Sequence, residues 1–124
     1  MTTEPILIVD DNPANLKLAR LVLVAAGYEV RTAVDAEAAL ELLESFEPRM
    51  ILMDLQLPGM DGLALTRKLK SDPRHRSIVV IALTANAMKG DDIKARAAGC
   101  DGYLTKPIDI EVLATTVAKH LVKA

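Results

Sequence analysis

The sequence predicts an α/β domain: a parallel five-stranded sheet with a helix after each strand and helices on both faces. Three observations predict it. Ile6-Leu7-Ile8-Val9, Met50-Ile51-Leu52-Met53 and Ile78-Val79-Val80-Ile81-Ala82-Leu83 are continuous apolar runs of strand length, as strands buried on both faces require. Segments with helical periodicity and their own start and stop signals separate them. The chain has 124 residues, 51% of them apolar, which suits one domain over 1–124 with a real core.

The elements follow in order. After the strand at Ile6–Val9, Leu16, Ala19, Leu23 and Ala26 recur at helical spacing between a start at Asn12-Pro13 and a stop at Gly27. Tyr28-Glu29-Val30-Arg31-Thr32 alternates apolar with polar, the mark of a half-exposed edge strand. Asp35 is a plausible N-cap for a helix from Ala36 to Phe46, ending before Pro48. The Met50 strand leads through Asp61-Gly62 to a helix over Leu63–Leu69, which stops before Pro73. The Ile78 strand leads to a helix from Met88 to Ala98 that ends at Gly99, with Gly90 weakening its first turn. Gly102-Tyr103-Leu104-Thr105 is a short fifth strand. Asp109 then caps a helix whose apolar stripe is Ile110, Leu113, Val117 and Leu121, a core-packing pattern.

Right-handed crossovers place helices on both faces only if the strand order reverses somewhere. With the second strand at an edge, the order 2-1-3-4-5 fits, the arrangement of a flavodoxin-like three-layer sandwich with five helices. Ligands bind such sheets beyond the carboxyl ends of the strands, at the reversal.

Those ends carry Asp10-Asp11 after the first strand, Asp54 after the third, Thr84 after the fourth and Lys106-Pro107 after the fifth. Any one of them has an ordinary explanation: a helix cap, a turn Asp, a strand Thr, a surface Lys. Together on one rim they do not. Three carboxylates so close repel, and a hard divalent cation is the remedy; Mg²⁺ suits because it leaves places for water and phosphate oxygens. Beside a metal, Asp54 can act as a nucleophile toward a phosphoryl donor. Asp11 would bind the metal directly and Asp10 would bind it through water or orient the pocket, while Lys106 and the Thr84 hydroxyl would meet phosphoryl oxygens. Ala85 is small and leaves room for the donor.

Composition narrows the partners. The net charge is −2, with no basic cluster, which disfavours nucleic acid and anionic membrane. Three aromatics, Tyr28, Phe46 and Tyr103, make no stacking platform. No apolar stretch reaches the roughly 20 residues of a membrane helix, and the acidic start at Met1-Thr2-Thr3-Glu4 lacks the basic region of a secretory signal. Cys100 is the lone cysteine, so no internal disulfide forms; it is expected to be a buried or half-buried thiol in a cytoplasmic protein.

Ile6-Leu7-Ile8-Val9-Asp10-Asp11-Asn12, the run from Leu52 through Asp54 to Pro58-Gly59-Met60-Asp61-Gly62, Leu83-Thr84-Ala85 and Tyr103-Leu104-Thr105-Lys106-Pro107 match in order and spacing. Through them the whole chain resembles the receiver domain of two-component response regulators. The resemblance implies that Asp54 is the phosphoacceptor and that a sensor histidine kinase or histidine phosphotransfer protein is the donor. It implies a Mg²⁺ site formed by Asp11, Asp54 and the backbone carbonyl of Gln56. Thr84 and Tyr103 would be the switch pair, Lys106-Pro107 a cis junction, and the fourth helix, fifth strand and fifth helix the surface that reports the switch to a protein target. The stretch from Ala85 to Asp91 is similar to that of stand-alone cell-cycle and sporulation-type regulators and of receivers in hybrid kinases, and Gln56 and Asn86 stand where phosphoryl lifetime is commonly tuned. A monomer or a weak phosphorylation-dependent dimer is expected.

Other classes fit less well. A haloacid-dehalogenase phosphatase needs a second Asp where Gln56 stands, and a cap domain. A flavodoxin-like electron carrier would set Asp10-Asp11 against its flavin phosphate. A DNA-binding output domain has no residues left after the fifth helix. A phosphorylation-independent scaffold of the same fold is the remaining alternative, although it usually lacks a pocket residue and none is missing here.

Overall fold

The structure, a computed structural model, describes residues 4–85 and 90–123. Five strands, β1 (Pro5–Val9), β2 (Glu29–Ala33), β3 (Met50–Asp54), β4 (Val79–Thr84) and β5 (Gly102–Thr105), form one parallel sheet in the order β2-β1-β3-β4-β5. The helices are α1 (Pro13–Ala25), α2 (Ala36–Leu42), α3 (Gly62–Lys70), α4 (Asp91–Ala98) and α5 (Ile110–Lys123). Sheet order and alternation are those predicted.

The period of two along the strands divides the core into two layers. Ile6, Ile8, Met50, Leu52, Ile81 and Leu83 pack against Ala19 and Leu23 of α1 and Leu113 and Val117 of α5. Their neighbours Leu7, Val9, Ile51, Met53, Val80 and Ala82 face the other way, onto Ala39 of α2, Leu65 and Leu69 of α3 and Ala95 of α4. β1, β3 and β4 are thus covered on both sides, which is why they read as unbroken apolar runs. Strand β2 pairs with β1 alone and is largely exposed, as its alternation implies.

Short polar side chains start the helices. Asn12 accepts from the Ala14 and Asn15 amides with Pro13 at the first turn, Asp35 from Ala38, Asp61 from Ala64, and Asp109 from Glu111 and Val112. Three expectations need correction. α2 ends at Leu42, four residues before Phe46, because the chain tightens: the Glu44 and Ser45 amides donate to Glu41 and Leu42 three residues back. Gly90 precedes α4 instead of lying inside it, since its φ of +81° is incompatible with a right-handed turn; Met88 and Lys89, where that helix was expected to begin, and Asn86 lie outside the described residues. Ile110 is 52% exposed, so the buried stripe of α5 is Leu113, Val117 and Leu121. Among the described residues no helix is long and apolar enough to cross a membrane.

Candidate functional site

Parallel register brings the strand ends to one level. Val9 lies beside Met53, Asp54 beside Leu83 and Thr84 beside Thr105. Asp10, Asp54, Thr84 and Lys106 therefore leave the sheet on the same rim, where β1 and β3 meet at the reversal. Carboxylate oxygens of Asp10, Asp11 and Asp54 all lie within 4.8 Å of one another. Asp10 is fully buried, Asp54 and Thr84 nearly so, and Asp11 faces solvent.

Backbone amides aim two of these carboxylates. The Asn12 N–H donates to Asp10 Oδ1 at 2.9 Å and the Gln56 N–H to Asp54 Oδ1 at 3.0 Å, each two residues on, as Asp does when a chain turns out of a strand. Asp54 Oδ2 meets Lys106 Nζ at 3.0 Å, and the same ammonium lies 3.5 Å from Asp10 Oδ2. Lys106 is held there by its own backbone: its N–H donates to the Thr84 carbonyl at 2.8 Å, and the Lys106–Pro107 bond is cis. Burial pushes the Asp54 carboxyl above the usual carboxylate range, and the neighbouring Asp10 charge adds to this; the Gln56 N–H and the Lys106 ammonium oppose it.

Asp10 Oδ2 is buried and accepts no hydrogen bond. One ammonium shared between two of three carboxylates leaves negative charge uncompensated, and a fully buried carboxylate oxygen without a donor is costly. A hard cation with its waters answers both, and the all-oxygen donor set fits Mg²⁺.

The structure brings Asp10, Asp11, Asp54 and Lys106 together, with Thr84 joined to them through the Lys106 amide. Gln56 follows Asp54 directly, with its side chain exposed and its N–H on the Asp54 carboxylate. Tyr103 sits lower, opposite Ala82 in the sheet, half-buried against the α2–α3–α4 layer. The packing role of Gly62 is not among the sequence-based expectations. A Cβ there would run into the Asp54 carbonyl oxygen and come within 2.8 Å of Leu55 Cα, so only glycine lets α3 start against the backbone that carries Asp54. A glycine just inside a capped helix start was the available signal.

Known proteins match this chain in sequence and in fold. The response regulator receiver domain family matches residues 6–118. The polar-differentiation response regulator DivK of Brucella ovis is 45% identical over 120 residues, covering 96% of this chain and 97% of that protein. DivK of Brucella anthropi is 43% identical over 116 residues, 94% of each. A CheY-like receiver domain protein from Methanospirillum hungatei superposes with a TM-score of 0.90 at 30% identity, over 98% of this chain and 96% of that one. The receiver domain of a Pseudomonas aeruginosa sensor histidine kinase gives 0.87 at 35% identity, over 95% and 97%, and it holds a magnesium ion in its active-site cleft.

Proposed function

Since the chain belongs to the response regulator receiver domain family, we propose that it works as a single-domain regulator, residues 1–124, of a cytoplasmic two-component system or phosphorelay. It takes a phosphoryl group onto Asp54 from the phosphohistidine of a sensor kinase or phosphotransfer protein. The observation that carries this reading is Asp54 itself: nearly buried, one oxygen fixed by the Gln56 amide, the other facing Lys106 within a cluster of three carboxylates.

In the transfer, an Asp54 carboxylate oxygen attacks phosphorus, the P–N bond breaks, and its electron pair leaves with the imidazole. An acyl phosphate remains on Asp54. Lys106 moves from the carboxylate oxygen to a phosphoryl oxygen, so its ammonium faces an anionic oxygen before and after the transfer. Thr84 offers its hydroxyl to another phosphoryl oxygen, and Ala85 leaves the approach open. Asp11, Asp54 and the Gln56 carbonyl would hold Mg²⁺, with Asp10 reaching it through water. The ion, when bound, supplies neutralisation of the phosphoryl charge, the main requirement of such transfers. The protein is a phosphoacceptor that promotes its own modification, not a turnover enzyme.

Phosphorylation then shifts a population between two states of the α4–β5–α5 surface, with Thr84 and Tyr103 as the coupled pair, and a downstream protein binds one state better. Neither nucleic acid nor membrane is a partner in this reading. Beryllofluoride tests it without a kinase. With Mg²⁺ present, the ¹⁹F spectrum of the mixture should show bound fluorides, and the amides of Asp54, Thr84 and Tyr103 should shift. A protein that ignores beryllofluoride and Mg²⁺ is a scaffold that keeps the pocket unused.

A further inference from the structure

Beside the acidic rim, a groove opens between α2 and the loop that follows β3. Its upper part, about 510 Å³, is lined by Asp35, Glu37, Leu40, Pro58 and Met60. The lower part, about 240 Å³, is a separate hollow that shares only Leu40 with it and is lined by Leu43 and Leu69.

Its floor is apolar and partly wet. Leu40 is half-buried and Met60 is 40% exposed. Charge differs between the two ends. No base lines the upper part, and among the described residues neither Asp35 nor Glu37 forms an ion pair with one. At the lower end charges of both signs meet and partly cancel: Asp72 holds Arg74 at 3.1 Å and His75 at 3.4 Å. The groove therefore presents an aliphatic floor with a negative lip at the end nearest Asp54.

We propose that this groove docks a cationic amphipathic segment of a partner protein. An aliphatic side chain would rest on Leu40 and Met60, and a Lys or Arg would reach Asp35 and Glu37. Helix-in-groove recognition needs such an apolar anchor, and the lip charge selects the sign of the flanking residue. An acidic segment would meet Asp35 and Glu37 with like charge. The surface is separate from α4–β5–α5, and its upper wall, Pro58–Met60, belongs to the loop that leaves Asp54. It does not depend on phosphoryl transfer, so it is tested on the unphosphorylated chain.

The full chain, ¹⁵N-labelled, is titrated with a short helical peptide of Leu, Ala and Lys, and separately with its Glu-for-Lys counterpart. Saturable shifts are expected at the groove amides, Leu40 and Met60 among them. The Lys peptide should bind at least ~10-fold tighter at low salt, and the difference should shrink as salt is added. Glu37→Lys and Met60→Ser alter exposed side chains, so their spectra should stay folded while each weakens the Lys peptide about 5-fold or more. Absence of saturable shifts in the groove, equal binding of the two peptides, or indifference to both substitutions overturns the proposal. Concentration-dependent shifts of the same amides in the free protein would show a second copy in the groove and overturn it equally.

Discussion

Lys106 makes contact with two carboxylates through one ammonium, 3.0 Å from Asp54 and 3.5 Å from Asp10, and no other described base reaches them. Its removal should therefore slow acceptance of a phosphoryl group more than it harms the fold. Lys106→Ala is expected to cut the rate of modification by acetyl phosphate by about 10²-fold, the usual cost of losing one preorganised charge at a transition state. The amide spectrum of the variant should remain that of the folded domain. Gly62→Ala should do the reverse and destabilise by about 1–3 kcal/mol in urea unfolding, because the new methyl overpacks the Asp54 backbone. Cys100 is buried, and burial first, then the Asp101 charge, raises its thiol above the ordinary 9.0, against Thr66 and Lys70. The thiolate is thus disfavoured in the fold relative to the unfolded chain. Stability is unaffected by this group below pH 9.0 and falls as pH rises past that value. Cys100→Ala should escape that alkaline loss, which thermal unfolding across the range will read. The carboxylates and Lys106 were legible in the sequence because their charges make sense only together. The constraint on Gly62 was not, because it is a through-space contact between a helix start and the end of β3.

The helices divide by how much of their pattern survives folding. In α5, Leu113 and Val117 are fully buried whereas Ile110, on the same periodic stripe, is 52% exposed. Periodicity assigns a residue to a face but cannot say where that face runs off the sheet, and the first turn of α5 stands clear of it. Leu113→Ala should cost about 2–5 kcal/mol, and Ile110→Ala no more than about 0.5 kcal/mol, in paired urea titrations. The apolar residues Leu42, Leu43 and Phe46 extended the predicted second helix. In the structure they stay in contact with the core through a tightened turn, so composition alone could not locate the end of α2. The fourth helix shows the opposite limit: the sequence pattern counts Gly90 in its first turn, whereas a left-handed φ sets this residue before the helix.

Across the whole molecule, the placement of the candidate site follows from topology. Reversing the strand order between β1 and β3 lays Asp10 and Asp11 beside Asp54, and the next two strands deliver Thr84 and Lys106 to the same rim. This was readable in advance because unbroken apolar runs and strict alternation leave few sheets to choose from. The same concentration of charge should tie stability to metal. At Mg²⁺ about 100-fold above its Kd, the fold should gain about 2.7 kcal/mol, a rise of several degrees in Tm that chelation with EDTA reverses. Asp11→Asn should lose most of that gain.

The central claim, that Asp54 accepts a phosphoryl group with the help of a bound divalent ion, is tested most directly by intact-mass measurement after incubation with acetyl phosphate. Wild type and Asp54→Asn are compared with and without Mg²⁺. The predicted result is one added phosphoryl group on the wild type only, and only with Mg²⁺. An unmodified wild type, or an Asp54→Asn variant modified to the same extent, would contradict it.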